Sequence, residues 1–243
     1  MAGATQTFLA DTGLRAGWRC LDVGCGDGQV AIAMARAVGP DGRVTGLDVD
    51  AGALEIARGA AEAAGVTVDL VMGDAGSPPV REAFDLAYAR LVLSHLADPA
   101  AALVAMQDAV RPGGVIAVED LDTGTLRAEP PSAALDRLRD LYAATVLANG
   151  GDPAIGPRLP ALLGAAGLRD VRERTVVNRM EAAEDKVFLV ELIDNMRPAM
   201  LDAGVAPAAE LDDVRRGVDR VARDPGAVIH QARIHQVQGR RPA

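Results

Sequence analysis

Residues 21–29 read Leu-Asp-Val-Gly-Cys-Gly-Asp-Gly-Gln. Glycines at positions 24 and 26 let a backbone turn tightly and let a ligand approach the main chain where a Cβ would collide. The spacing G-x-G-x-G differs from the G-x-G-x-x-G of dinucleotide folds, and the phosphate loop G-x-x-x-x-G-K-S/T is absent. A second acidic residue, Asp48, closes the next apolar run. A carboxylate there can accept two hydrogen bonds from a ribose diol. Turn and carboxylate together are chemistry for a nucleoside, and the pattern alone leaves open which one.

Other residues could do chemistry. His95, in Ser94-His95-Leu96, reads either as a proton acceptor or as a hydrogen-bonded histidine in the first turn of a helix. Glu119, Asp120 and Asp122 cluster at the end of the fifth apolar run, where one could meet a substrate and others could shape a loop. Cys20 and Cys25 lie five apart, which is neither a disulfide framework nor a zinc spacing. As a nucleophile Cys25 would need a thiolate, with only a helix N-terminus nearby to lower its pKa, so it reads better as a small filler. His230 and His235, five apart on one expected strand, face opposite sides. No metal site is expected.

These residues are positioned by a repeating unit: a short apolar run, a Gly/Asp turn, then an Ala-rich stretch with apolar residues at helical spacing. That is how a parallel βαβ series reads. Strands are expected at 19–23, 43–48, 67–72, 84–89 and 115–121, with helices at 28–38, 51–64 behind an Asp50 cap, and 99–110. Arg111-Pro112-Gly113-Gly114 stops the last of these. Beyond 121 the rhythm breaks into a connection, a helix over 132–148, a loop, a helix over 158–166 and a strand over 168–178. Helices over 183–203 and 207–222 and a strand over 227–238 follow. We read one domain, 1–243, with residues 1–121 as its cofactor-binding half. Segments 122–157 and 180–224 are cap insertions, and 158–178 and 227–238 are the last sheet elements. In open α/β sheets ligands bind beyond the strand carboxyl ends, where both insertions fall. The short stretch before the first strand leaves little to form an N-terminal lid.

Composition narrows the partners. The 243 residues are 49% apolar and 24% charged, ordinary for a globular chain with a sizeable core. With 34 acidic against 25 basic residues, a net charge of −9 repels polyanions, so nucleic acid is not an expected partner. No apolar run approaches the roughly 20 residues of a membrane span, and the first residues lack a basic region followed by an apolar stretch. A cytoplasmic protein without a membrane partner is the expectation. Aromatics are few, so Tyr142 and Phe188 on the insertion helices are informative, as pocket wall or as helix packing.

The run LDVGCGDG, the strand end GLDVD, the GDA at 73–75, the FDLAYARLVLSHL at 84–96 and the RPGG at 111–114 stand in fixed order. Together they resemble class I S-adenosylmethionine (SAM)-dependent methyltransferases, above all bacterial small-molecule enzymes of the ubiquinone/menaquinone methyltransferase type. The resemblance is close over 14–121 and loose over 158–178. It implies an α/β, Rossmann-like, doubly wound seven-stranded sheet, mostly parallel with an antiparallel last strand, bearing helical cap insertions. It also implies SAM as cofactor and S-adenosylhomocysteine as product. Asp22, Gly24, Cys25 and Gly26 would lie at the methionine end, and Asp48 would bind the ribose hydroxyls, with Val49 a further cofactor contact. Gly73, Asp74 and Ala75 would lie at the adenine, and Arg90 and Leu91 again at the methionine.

The expected reaction is methyl transfer to an oxygen or nitrogen of a small-molecule metabolite. His95 is the candidate base, and Glu119, Asp120, Tyr142 and Phe188 are candidate substrate contacts. A proline-rich Asn/Asp-Pro-Pro-Tyr segment, which would indicate a base or amide nitrogen, is absent from Ala89–Leu96. Carbon methylation, non-methylating chemistry on the same fold, and a SAM-binding regulatory subunit without activity stand as alternatives.

Overall fold

The apolar runs form the strands of a seven-stranded sheet in the computed structural model, which describes residues 2–77 and 81–243. In chain order the first half contains α1 (Ala2–Asp11), β1 (Arg19–Val23), α2 (Gln29–Val38), β2 (Arg43–Asp48), α3 (Ala51–Ala63), β3 (Asp69–Met72), β4 (Phe84–Arg90), α4 (Pro99–Ala109) and β5 (Val110–Asp122). The second half contains β6 (Arg127–Glu129), α5 (Ala133–Ala148), α6 (Leu159–Ala165), β7 (Arg169–Val176), β8 (Arg179–Met180), α7 (Ala183–Lys186), α8 (Phe188–Asp202), α9 (Ala208–Arg223), β9 (Val228–His230) and β10 (Arg233–Arg240).

The main sheet has the order β3-β2-β1-β4-β5-β10-β7. Pairings from β3 to β5 are parallel, and β10 runs antiparallel between β5 and β7. This is a Rossmann-like, mostly parallel sheet with an antiparallel last strand. Its central strands bury both faces, as helices on both sides require. Leu21, Val23, Ala87, Ala89, Ile116 and Val118 face α4 and α6. Their alternating neighbours Cys20, Leu86, Tyr88, Val115 and Ala117 face α1 and α2. The period of two along each strand divides the residues this way.

A second layer holds the three-stranded sheet β6-β9-β8. Leu135, Leu138 and Leu141 of α5 meet Leu189 and Ile193 of α8 and Leu211 and Val218 of α9 in one apolar cluster. Lys186 is fully buried there, its Nζ donating to the carbonyls of Asp224 at 2.7 Å and Ala227 at 2.9 Å. No helix among the described residues is long and apolar enough to cross a membrane.

Several elements differ from the sequence expectation. The stretch before β1 is a helix, α1, although its apolar residues show little periodicity. Burying Phe8 and Leu9 against α2 stabilises it by roughly 1.5–3 kcal/mol per side chain. Polar anchors add to this: the Thr5 hydroxyl donates to Glu119 Oε2 at 3.4 Å, and Arg174 of β7 pairs with Asp11 at 2.7 Å. The strand expected over 227–238 breaks at Gln231-Ala232, so His230 joins the small sheet and His235 the large one. The helix expected over 183–203 breaks at Val187. β5 begins at Val110, which pairs with Phe84 across a register shift.

Candidate functional site

The glycine turn leaves the carboxyl end of β1. Gly24, Gly26 and Gly28 have φ of +65°, +52° and +80°, a region that costs other L-residues roughly 1–2 kcal/mol each. At Gly24 space adds a second constraint, because a Cβ there would lie 2.4 Å from Val92 Cγ2. The amides of Gly24 and Cys25 donate to the Leu47 carbonyl at 2.7 and 3.0 Å, which binds the turn to β2. Asp48 then receives the Gly26 amide on Oδ2 at 2.8 Å and the Asp50 amide on Oδ1 at 3.0 Å.

Asp22 is 2% exposed, and its Oδ2 has no hydrogen-bond partner among the described residues. Burial pushes its carboxyl up to about 7 from an ordinary 3.8, opposed by the Ala31 amide and by the charge of Arg90. With Gly24, Cys25, Gly26, Asp27 and Arg90 it lines a cavity of about 150 Å³. Burial lowers the Arg90 pKa while Asp22 and Asp27 pull it back up. Cys25 is buried, and its thiol is pushed up to about 12 by burial and then by Asp22 and Asp48, so it is a neutral part of the wall.

The next two strand ends lie beside this turn. The Gly73 amide donates to the Asp48 carbonyl at 2.9 Å. Asp74 Oδ1 accepts from the Gly76 amide at 2.7 Å, so one oxygen closes its own turn. Ala75 is packed in the core, whereas Val49 is 67% exposed.

Arg90 and Leu91 also line a second cavity, of about 210 Å³, with Tyr142, Phe188, Leu138 and Leu192. Leu91 has φ +57°, a conformation that costs a non-glycine residue about 1–3 kcal/mol. Its amide donates to the Glu119 carbonyl at 2.8 Å, which holds the chain in that bend. Tyr142 Oη lies 3.5 Å from His95 Nε2, with the two rings edge to face. Burial raises the Tyr142 phenol to about 12, so it stays protonated and can donate.

The two carboxylates at the end of β5 do not share a pocket, because adjacent strand residues face opposite sides. Asp120 is 1% exposed and accepts from the Ser94 and Leu121 amides, both at 2.9 Å, anchoring the turn that carries His95. Burial raises its pKa against those hydrogen bonds. Glu119 faces α1, accepting from Thr5 and from Gln236 Nε2, with Oε1 unpartnered among the described residues. Neither is among the residues lining the 210 Å³ cavity.

The sequence reading missed α1, whose Thr5 and Leu9 share a further cavity with Gln29 and Arg90. It also missed Leu138, Leu192 and Gln231 in the apolar cavity. The apolar faces of α5 and α8 carried a signal for the first two; nothing local marked Gln231. Among the described residues no cluster of His, Cys, Asp and Glu is placed to hold a metal ion.

Residues 14–150 match the sequence model of a family described as a methyltransferase domain. Over 214 residues, 87% of the chain, the sequence is 32% identical to an uncharacterized 37.1 kDa protein in transposon TN4556 of Streptomyces fradiae. Over 122 residues, 50% of the chain, it is 36% identical to demethylmenaquinone methyltransferase of Staphylococcus aureus strain JH9. The matched regions span 59% and 50% of those two proteins. The fold is similar to that of phosphoethanolamine N-methyltransferase 2 of Haemonchus contortus, solved with S-adenosyl-L-methionine. That match has a TM-score of 0.61 and 18% identity, over 99% of this chain and 53% of the other.

Proposed function

The chain belongs to the methyltransferase domain family, and from that premise we propose that it transfers a methyl group from SAM to an oxygen or nitrogen of a small molecule. The observation that carries this reading is the position of Arg90, which lines both the glycine-turn cavity and the apolar cavity. On this reading a donor site and an acceptor site meet at one residue.

The residues present fit the donor. The unpartnered Asp22 Oδ2 suits an ammonium group, whose charge would favour the ionised carboxyl that burial disfavours. The positive-φ glycines leave the main chain open to close approach. Asp48, held by the Gly26 and Asp50 amides, retains acceptor capacity for ribose hydroxyls. Val49, Gly73, Asp74 and Ala75 would border the adenine, and Arg90 and Leu91 the methionine end. When bound, SAM supplies a methyl carbon already activated by its sulfonium.

What remains for the chain is to hold the acceptor in line, an effect worth roughly 7–11 kcal/mol in well-oriented systems. Tyr142 and Phe188 would flank the acceptor. The neutral Tyr142 hydroxyl would orient it, and His95, which does not itself line that cavity but holds Nε2 3.5 Å from the Tyr142 hydroxyl, would receive its proton by way of that hydroxyl, a contribution of about 10² to 10⁴ in rate where the acceptor must lose one. Glu119 and Asp120 act instead as anchors for α1 and for the His95 turn. The segments 122–157 and 180–224 would cap the site, with α1 closing the side by α2.

Calorimetric titration with S-adenosylhomocysteine and with NAD tests the donor site, and mass spectrometry for products heavier by one methylene tests the reaction. The reading fails if the protein binds NAD and not S-adenosylhomocysteine.

A further inference from the structure

We infer that the rim of the main sheet opposite the glycine turn holds a second site, which takes an oligophosphate anion between Arg15, Arg111 and Arg240. These side chains line one cavity of about 300 Å³ with Thr12, Trp18 and Asp85. Four parts of the chain bring them together. Arg15 lies in the link from α1 to β1, Asp85 near the start of β4 and Arg111 near the start of β5. Arg240 ends β10, which runs antiparallel to β5 and so reaches the same rim with its carboxyl end, Arg240 beside Val115. None of these residues lines the glycine-turn cavity or the apolar cavity. The five residues of β1, at roughly 3.3 Å each, separate the two ends, so the site stands apart from the proposed methyl transfer.

Charge at this rim runs against that of the whole chain. The protein carries a net −9, yet the cavity has three guanidinium groups and one carboxylate, Asp85. Both oxygens of that carboxylate are taken: Oδ1 accepts from Arg111 Nε at 2.6 Å and Oδ2 from the Arg19 amide at 2.8 Å. Arg111 thereby keeps both terminal nitrogens free of partners among the described residues. Arg240 Nη1 donates to the Gly113 carbonyl at 3.2 Å, and Arg15 lies over the Trp18 ring, 5.3 Å from its centre. Neither has an ion-pair partner among the described residues. A guanidinium carries five N–H donors in a planar fork that phosphate and carboxylate oxygens accept in pairs. A phosphate presents its oxygens in three directions, so neighbouring forks can share one group, whereas a carboxylate presents two in one plane. Three forks around one cavity therefore match an anion with two or more linked phosphates.

Trp18, the single tryptophan of the chain, lines this cavity and reports on it. The full chain is titrated at fixed ionic strength with inorganic diphosphate, ADP, orthophosphate and citrate, read by tryptophan fluorescence and by calorimetry. Diphosphate is expected to saturate both signals with a dissociation constant below about 1 mM, and orthophosphate and citrate to bind at least tenfold more weakly. Equal affinity for ADP and diphosphate supports recognition of the phosphate chain alone, and tighter ADP supports a nucleotide as its source. Arg15→Gln and Arg240→Gln should each weaken diphosphate at least tenfold by calorimetry, the readout chosen because Arg15 lies on the reporting ring. Both should leave S-adenosylhomocysteine affinity within twofold, and Arg216→Gln on α9 should change neither ligand. Four results overturn the inference: no saturable binding, heat without a fluorescence change, citrate as tight as diphosphate, or parent-like diphosphate affinity in both glutamine variants. Displacement of diphosphate by S-adenosylhomocysteine would equally overturn it, by putting the anion in the glycine-turn cavity.

Discussion

The carboxylate of Asp48 accepts the main-chain amide of Gly26 at 2.8 Å, so the end of β2 fixes the bend that leaves β1. One side chain thereby shapes the glycine turn and faces the proposed ribose. Asp48→Ala removes the acceptor for two amides. It should cost about 1–3 kcal/mol of stability, read by urea denaturation, and weaken S-adenosylhomocysteine at least a hundredfold by calorimetry. Asp48→Asn keeps one amide acceptor and should lose less of both. Parent-like affinity in Asp48→Ala would remove the ribose assignment.

Asp22 couples stability to pH. Its carboxyl, raised to about 7 by burial, keeps its proton in the folded protein where the unfolded chain, near 3.8, has lost it. The folded state then binds more protons, so this group's contribution to stability falls as pH rises from about 4 to 7 and stays low above. Asp22→Asn should therefore melt higher than the parent at pH 8, with a smaller difference at pH 5, and should bind S-adenosylhomocysteine poorly at both. A destabilised Asp22→Asn at pH 8 would contradict the account.

Gly24→Ala meets two obstacles, φ of +65° and the Val92 side chain. A loss of about 1–3 kcal/mol is expected, measured by denaturant midpoint, with S-adenosylhomocysteine binding abolished. Adding Val92→Ala should return part of the stability and none of the binding, since the backbone strain persists.

His95 stands on a turn that Asp120 anchors through the Ser94 amide. With a hydroxyl acceptor, His95→Ala should lower kcat by about 10² to 10⁴ and leave S-adenosylhomocysteine affinity unchanged. Tyr142→Phe, which removes the hydroxyl facing His95, should raise KM more than it lowers kcat. Full turnover in His95→Ala would end its role as base.

The strand–turn–helix rhythm of the first half is legible because β1, β2 and β3 run out at Gly24, Asp48 and Gly73 and because α2 and α3 each carry an apolar stripe. Asp22, the glycines and Arg90 were expected together, and they line one cavity. At the end of β5 the sequence reads as one acidic cluster, because spacing along the chain does not reveal that Glu119 and Asp120 face opposite sides once both faces are covered. α1 was invisible for a different reason: its stability comes from Phe8 and Leu9 docking on α2, a tertiary contact that no local pattern carries. Gln231 escaped notice because its hydrogen bonds run to Asn178 and Met180, distant along the chain. Likewise the break at Gln231-Ala232 follows from a strand shared between two sheets, which apolar content alone reads as continuous.

The division of labour between the main sheet and the second layer bears on how such a protein changes over generations. The glycine turn hangs from β1 and β2, whereas the apolar cavity takes Leu138 from α5 and Phe188, Leu189 and Leu192 from α8. On the proposed function, replacements along those two helix faces would reshape what is accepted without disturbing the strands behind Asp22 and Asp48. On the proposed function, a lineage built on this plan would vary its acceptors largely by drift in those two helices, while Arg90, shared by both cavities, stays with the sheet.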